Sequence, residues 1–337
     1  MKAIIAGLGG RGRMWLKSCR ENADVEIVAC VEPFADNSKR AVQEDGIAKE
    51  IIFSDLNQAV KQVKADFVLD VTPPSVHEQT ALTAFENGLH VLGEKPLSDD
   101  YQAALRIVAA GKKAGLKHMV AQNYRFEGLP RTTKKLLQSG RMGSVGQLDV
   151  TLYVPWADIP GSHYVTKPYM FLTDMGIHHF DLMRYLLGMD PLSVQAVTWN
   201  LPWGWHKGDA CQHILFRFPN GVMATHHGVG CTLGHVPAGH NGEWRFETPK
   251  GTLTWEGFKL FHTHKHRAEP TIREELPLDA NATTGGVKSV LEEFIKSIKE
   301  NRQPECNAVD NLKSMQMVFA ATKSAQEKRE VSLSELS

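Results

Sequence analysis

A short apolar run, Lys2-Ala-Ile-Ile-Ala6, meets Gly7-Leu8-Gly9-Gly10-Arg11-Gly12 without a break. Apolar, partly β-branched residues ending on glycine read as a buried parallel strand. The G-x-G-x-x-G spacing and the helix-like segment 13–20 that follows match the turn that holds a dinucleotide. Three glycines let the backbone turn tightly and approach a pyrophosphate, whose charge is faced by the free N–H groups of the helix start. Val25–Val31 reads as a second strand, and Glu32 falls 20 residues after Gly12. A carboxylate there accepts from ribose hydroxyls and repels a 2′-phosphate, so NAD is expected over NADP. Lys39 and Arg40 follow closely enough to leave NADP open.

The alternation continues with helix 35–45, strand 50–53, helix 55–63, strand 66–72, helix 75–88, strand 89–93, helix 98–115 and strand 118–122. Strand and helix alternating with short connections predict a doubly wound parallel sheet, with ligands at the carboxyl ends of its strands. Thr72-Pro73-Pro74-Ser75 and Glu94-Lys95-Pro96 end two of these strands and are expected to border the cofactor cleft. Pro96 fixes the chain after Lys95, whose ammonium is then able to hold a substrate hydroxyl and pass a proton.

Beyond a helix at 129–139 the pattern changes to strands at 145–154, 192–200, 209–218, 221–229, 242–248 and 251–255. Asn220-Gly221 marks a hairpin turn, and successive hairpins predict an antiparallel sheet. Helices at 286–300 and 308–327 close the chain. The expected organisation is therefore a Rossmann domain at 1–121 and an α+β domain with a large open, mostly antiparallel sheet at 122–337. A chain of 337 residues suits two cores of ordinary size.

Lys+Arg and Asp+Glu both number 38, and no basic stripe exists, which argues against a nucleic-acid partner. No stretch reads as a membrane span, and the five cysteines contain no C-x-x-C, so a soluble cytoplasmic protein without disulfides is expected. His262, His264 and His266 alternate as on one strand face, but no carboxylate or cysteine lies at a matching sequence spacing, so no metal is expected. Four tryptophans fall between 156 and 205, and Trp156, Trp199, Trp203 and Trp205 suggest either core or an aromatic rim for a sugar ring.

The stretch FLTDMGIHHFDLM, residues 171–183, sets two histidines between two carboxylates. On an α-helix His178 lies about 40° from Asp174 and Asp181 about 20° the other way, whereas His179 lies about 140° away. His178 thus shares a face with both acids, and Asp181 is expected to support it. His179 is left as a contact to substrate or a neighbouring chain, or as a spectator.

These elements together resemble the Gfo/Idh/MocA oxidoreductases, which include glucose–fructose oxidoreductase and inositol dehydrogenase. The resemblance rests on GLGGRG at 7–12, the acid at 32, TPPSVH at 72–77, HVLGEKPLS at 90–98, QNYRF at 122–126 and DMGIHHFDLMRYLLG at 174–188. It implies hydride exchange between a nicotinamide and a carbinol of a sugar, inositol or related polyol. Carried over residue by residue, it makes Lys95, Asp174 and His178 catalytic. It adds His77, Glu94, Lys95 and Asn123 to the cofactor-binding set, and places Arg125 against cofactor or substrate. A homodimer or homotetramer is implied as well. Two other classes fit the same residues. An NAD-dependent glycoside hydrolase, working by transient oxidation and elimination, needs a further base that His163, Tyr164 or His179 would supply. A non-catalytic NAD sensor needs no base at all.

Overall fold

The computed structural model describes residues 1–156, 167–234, 239–265, 270–279 and 285–336. They form two compact units, Met1–Asn123 with Thr284–Leu312, and Tyr124–Thr283 with Lys313–Ser337.

In the first unit strand and helix alternate as β1 (Lys2–Ala6), α1 (Gly10–Arg20), β2 (Glu26–Val31), α2 (Ala35–Asp45), β3 (Ile52–Phe53), α3 (Leu56–Gln62), β4 (Phe67–Asp70), α4 (His77–Glu86), β5 (His90–Gly93), α5 (Tyr101–Ala114) and β6 (His118–Val120). The sheet order is β3-β2-β1-β4-β5-β6 and every pairing is parallel. That is the doubly wound order, whose reversal between β1 and β4 opens a crevice at the strand ends. The central strands are apolar because both faces are covered: Ile4, Ile5, Phe67, Val68 and Leu69 are fully buried. Asp55 and Asp100 cap α3 and α5, accepting from the N–H groups of Gln58 and Ala103. β4 stops at Asp70, short of the expected 72, because its carboxylate accepts from the N–H (3.1 Å) and hydroxyl (2.6 Å) of Thr72. The two prolines that follow have no N–H to continue a ladder.

The second unit contains α6 (Gly128–Gln138), β7 (Gln147–Tyr153), a π turn at Leu172–Gly176 leading into α7 (Ile177–Leu187), and the strands β8 (Ser193–Trp199), β9 (Cys211–Arg217), β10 (Met223–Val229), β11 (Glu243–Thr248), β12 (Gly251–Glu256), β13 (Lys259–His264) and β14 (Ile272–Leu276). The chain closes with α8 (Gly286–Lys299), α9 (Ala308–Glu327) and β15 (Val331–Ser332). The sheet runs β14-β13-β12-β11-β7-β10-β9-β8-β15, antiparallel throughout except between β7 and β10. The expected hairpin joins β9 to β10 through Asn220 and Gly221, both at positive φ.

Helix α8 falls in the first unit, where a cut at 121/122 had assigned everything downstream to the second. Its buried face carries Val290, Leu291, Phe294 and Ile295, and Phe294 meets Phe67 of β4 edge-on at 5.3 Å. Val120 of β6 likewise donates its N–H to the Cys306 carbonyl. Among the described residues no helix is long and apolar enough to cross a membrane. All five cysteines are buried free thiols.

Candidate active site

The glycine turn divides its labour. A Cβ on Gly7, whose φ is +99°, would lie 2.6 Å from the Val71 carbonyl oxygen, and one on Gly12 would lie 2.0 Å from that of Gly7. These two glycines let β1, α1 and the chain after β4 pack against one another. A Cβ on Gly9 or Gly10 would meet nothing within 4 Å. Those two face a cleft of about 570 Å³ lined also by Gly7, Arg11, Gly12, Glu32, Thr72 and Pro73. Gly9 caps α1 without a side-chain bond, so the helix start presents backbone donors there. Glu32 is buried and accepts from the N–H groups of Leu8 (2.8 Å) and Phe34 (3.0 Å), which pins the turn to the end of β2. Each carboxylate oxygen has a second lone pair available for a hydroxyl. Bare backbone donors beside a positioned carboxylate fit a pyrophosphate and a ribose diol.

The remaining residues expected at the cofactor are held as follows. Leu8 is buried and donates its N–H to Glu32. Glu94 accepts from Arg11 Nε (2.5 Å) and Trp15 Nε1 (2.6 Å), fixing α1 to the end of β5. His77 is buried with its Nδ1 3.0 Å from the Pro96 carbonyl oxygen and its Nε2 2.9 Å from that of Thr72, so it ties the two strand-end loops together. Lys95, half-buried, donates its backbone N–H to Glu94 at 3.2 Å. Asn123 opens a short 3₁₀ helix, Asn123–Phe126, after β6.

In the second unit Asp174 lies within the π turn and His178 in the first turn of α7. Bonds of the i→i+5 type widen the helix here, so the 100° spacing assumed from sequence does not apply between the two residues. The imidazole of His178, 6% exposed, lies flat on the Tyr124 ring at 4.3 Å and 5°. Tyr124 is a contact the sequence reading passed over in favour of its neighbour. The Arg125 guanidinium forms a two-pronged pair with Asp181, Nε–Oδ2 2.5 Å and Nη2–Oδ1 2.6 Å. Ser314 donates to the same carboxylate at 2.7 Å and accepts from Arg184 at 2.9 Å. Asp181 therefore anchors Arg125 and Ser314.

Two family models match in sequence order: an oxidoreductase family, NAD-binding Rossmann fold, over residues 1–122, and the Gfo/Idh/MocA C-terminal domain over 131–253. The chain belongs to the Gfo/Idh/MocA family. It is an NAD-binding oxidoreductase of that family. It is 25% identical to an inositol 2-dehydrogenase of Rhizobium meliloti over 98% of either chain. It is also 25% identical to a D-apiose dehydrogenase of Paraburkholderia graminis, over 99% of this chain and 90% of that one. Among solved structures, an oxidoreductase from Agrobacterium radiobacter in complex with NAD+, L-tartaric acid and magnesium matches with a TM-score of 0.88. That match has 20% identity and covers 100% of this chain and 99% of the other, a likeness of fold.

In this member of the family two of the residues expected to meet substrate are internal. His179 is 0% exposed and donates from Nε2 to the His240 carbonyl at 2.9 Å. Its Nδ1 then accepts from His226 Nε2 at 2.9 Å, and His226 Nδ1 accepts from the Gln212 amide at 3.0 Å. Every bond in that chain forms with neutral rings. Burial pushes the His179 imidazole down to about 4, and burial next to His179 holds that of His226 well below the ordinary histidine range. Trp156 is buried in a cluster with Leu152, Val154, Met170, Phe171 and Met175, its ring edge-on to Phe171 at 5.4 Å. Trp203 is 57% exposed and donates its Nε1–H to the Cys231 carbonyl at 3.1 Å. His163 and Tyr164 lie outside the described residues.

Proposed function

We propose that the protein exchanges a hydride between NAD and a carbinol of a sugar, inositol or related polyol, with Lys95, Asp174 and His178 as its catalytic residues. The observation that carries this reading is the π turn: it interrupts α-helical bonding over Leu172–Gly176, holds Asp174, and runs directly into the turn that bears His178. Such turns concentrate at functional sites. Bound NAD supplies the hydride acceptor. His178 takes the proton of the substrate hydroxyl, and Tyr124, stacked on it, fixes the plane of the imidazole. Asp174 stabilises the imidazolium, while the Lys95 ammonium holds the carbinol oxygen and joins the proton relay. Gly9, Gly10 and the start of α1 hold the pyrophosphate, and Glu32 holds the ribose. The Glu32 carboxylate favours NAD over NADP. The inositol and apiose dehydrogenases among the relatives support a polyol or sugar substrate. A homodimer or homotetramer is part of the proposal, supported by the exposed apolar Leu192 and Val197 on and beside β8.

Cleavage of a glycoside with no net redox change requires one more base, and His179 is already committed to His226 and His240. The test is a panel of sugars, inositols and aryl glycosides with NAD, following NADH absorbance and released aglycone together. The proposal expects NADH from at least one free carbinol. Aglycone release without NADH, or NAD binding with neither product, overturns it.

A further inference from the structure

Among the described residues, one group of potential ligands gathers on the sheet of the second unit, on strands that contain none of the residues assigned above to catalysis. His262 and His264 of β13 and Glu274 of β14 bring one ligand atom each to within 4.8 Å of one another. Alternate residues of a strand share a face, and Glu274 stands directly opposite His262 in the β13–β14 pairing. The sequence held no carboxylate at a matching spacing because this one arrives through strand pairing. His266 lies outside the described residues.

The hydrogen bonding of His262 is that of an oriented ligand. Its Nε2 lies 3.0 Å from the Lys250 carbonyl oxygen, which only accepts, so Nε2 carries the proton. Its Nδ1 lies 3.2 Å from Glu274 Oε1. On a neutral ring that places a lone pair against a carboxylate oxygen, two acceptors in contact, and a cation between them resolves the conflict. An imidazole that donates its other N–H to a backbone carbonyl is the arrangement that fixes tautomer and direction at metal sites. Gly251 of β12 makes the room: with φ at +123°, a Cβ there would come within 2.8 Å of His262 Nε2 and 3.0 Å of His264 Cβ. The His264 ring stacks on that of His262 with centroids 5.0 Å apart.

We propose that His262, His264 and Glu274 bind one divalent transition ion of the zinc class, which ties the edge strand β14 to β13. Two imidazoles and a carboxylate suit Zn²⁺, Ni²⁺ or Cu²⁺, whereas Mg²⁺ and Ca²⁺ take oxygen ligands. Ligand distances of about 2.0–2.2 Å are reached by rotation of the Glu274 side chain, which is 54% exposed, with water completing the shell.

The test is calorimetric titration of the chelator-treated full chain with Zn²⁺ alone, beside His264→Ala and Glu274→Gln. These positions are exposed or half-buried, and circular dichroism checks the fold of each variant. The expected result is one ion per chain, bound at least tenfold more weakly by each variant, with a zinc-dependent rise in melting temperature in the parent protein only. Absence of binding reduces the group to an imidazolium–carboxylate pair and overturns the proposal. Binding that both variants retain places the ion elsewhere and overturns it equally.

Discussion

Replacing Asp181 with alanine tests how the helix bearing His178 is held. Arg125 and Asp181 are 6% and 1% exposed, and their two bonds of 2.5 and 2.6 Å satisfy the guanidinium and carboxylate away from water. Asp181→Ala removes the carboxylate that takes both bonds from the buried Arg125 guanidinium and accepts from the Ser314 hydroxyl. Breaking a buried pair from one side costs about 3–5 kcal/mol, because the remaining charge keeps its desolvation penalty. At roughly 2–4 °C per kcal/mol for a unit of this size, the melting temperature should fall by roughly 6–20 °C. Differential scanning calorimetry at pH 7 measures this directly. The double variant Arg125→Met, Asp181→Leu removes both charges and should regain most of the loss, since apolar replacements of buried pairs are often neutral. It should also keep NAD affinity, as Arg125 is engaged with Asp181. A single variant melting within about 2 °C of the parent, or a double variant no more stable than the single, would refute the reasoning.

Two further predictions follow from the same geometry. Glu32→Gln keeps a side-chain acceptor for the Leu8 N–H but loses the charge, so the NAD-over-NADP preference measured by fluorescence titration should narrow by about tenfold or more, a change of ~1.4 kcal/mol. Stability should also fall with acid. His179 is neutral in the fold down to about 4 and burial holds His226 well below the ordinary histidine range, whereas the unfolded chain protonates both below the ordinary 6.5. The unfolded state then binds the extra protons, so this stability is complete above about pH 6.5 and declines toward pH 4 by about 1.4 kcal/mol per pH unit for each histidine. Denaturant unfolding at pH 7 and pH 5 reads that slope, and a slope smaller by about half in His226→Ala would assign that share to His226.

The Rossmann half was legible because its signals are local. Apolar runs, the glycine spacing and the acid after β2 stand within a few residues of what they act on, and only strand ends moved, as at Asp70, where a side chain takes over the next backbone donor. The second half carried less of itself in local pattern. Ile272-Arg-Glu-Glu-Leu276 has no apolar alternation because it is an exposed edge strand, so β14 was not expected, and neither was Glu274 beside His262. Arg125 with Asp181, and His179 with His226, are pairs made by the fold across 56 and 47 residues. Without that pairing Arg125 read as a ligand contact and His179 as a spare base. The π turn left no mark on the helical pattern of 171–183, which assigned Asp174 and His178 to one helix but not the widened geometry between them.

The central claim is that His178 moves the proton and takes no part in holding NAD. It is tested by measuring NAD affinity and turnover together in His178→Ala, with whichever carbinol gives NADH in the parent protein. The account predicts unchanged NAD affinity and turnover lower by about 10²–10⁴-fold, the range expected for a lost general base. Turnover close to that of the parent, or NAD affinity lost in step with turnover, contradicts it.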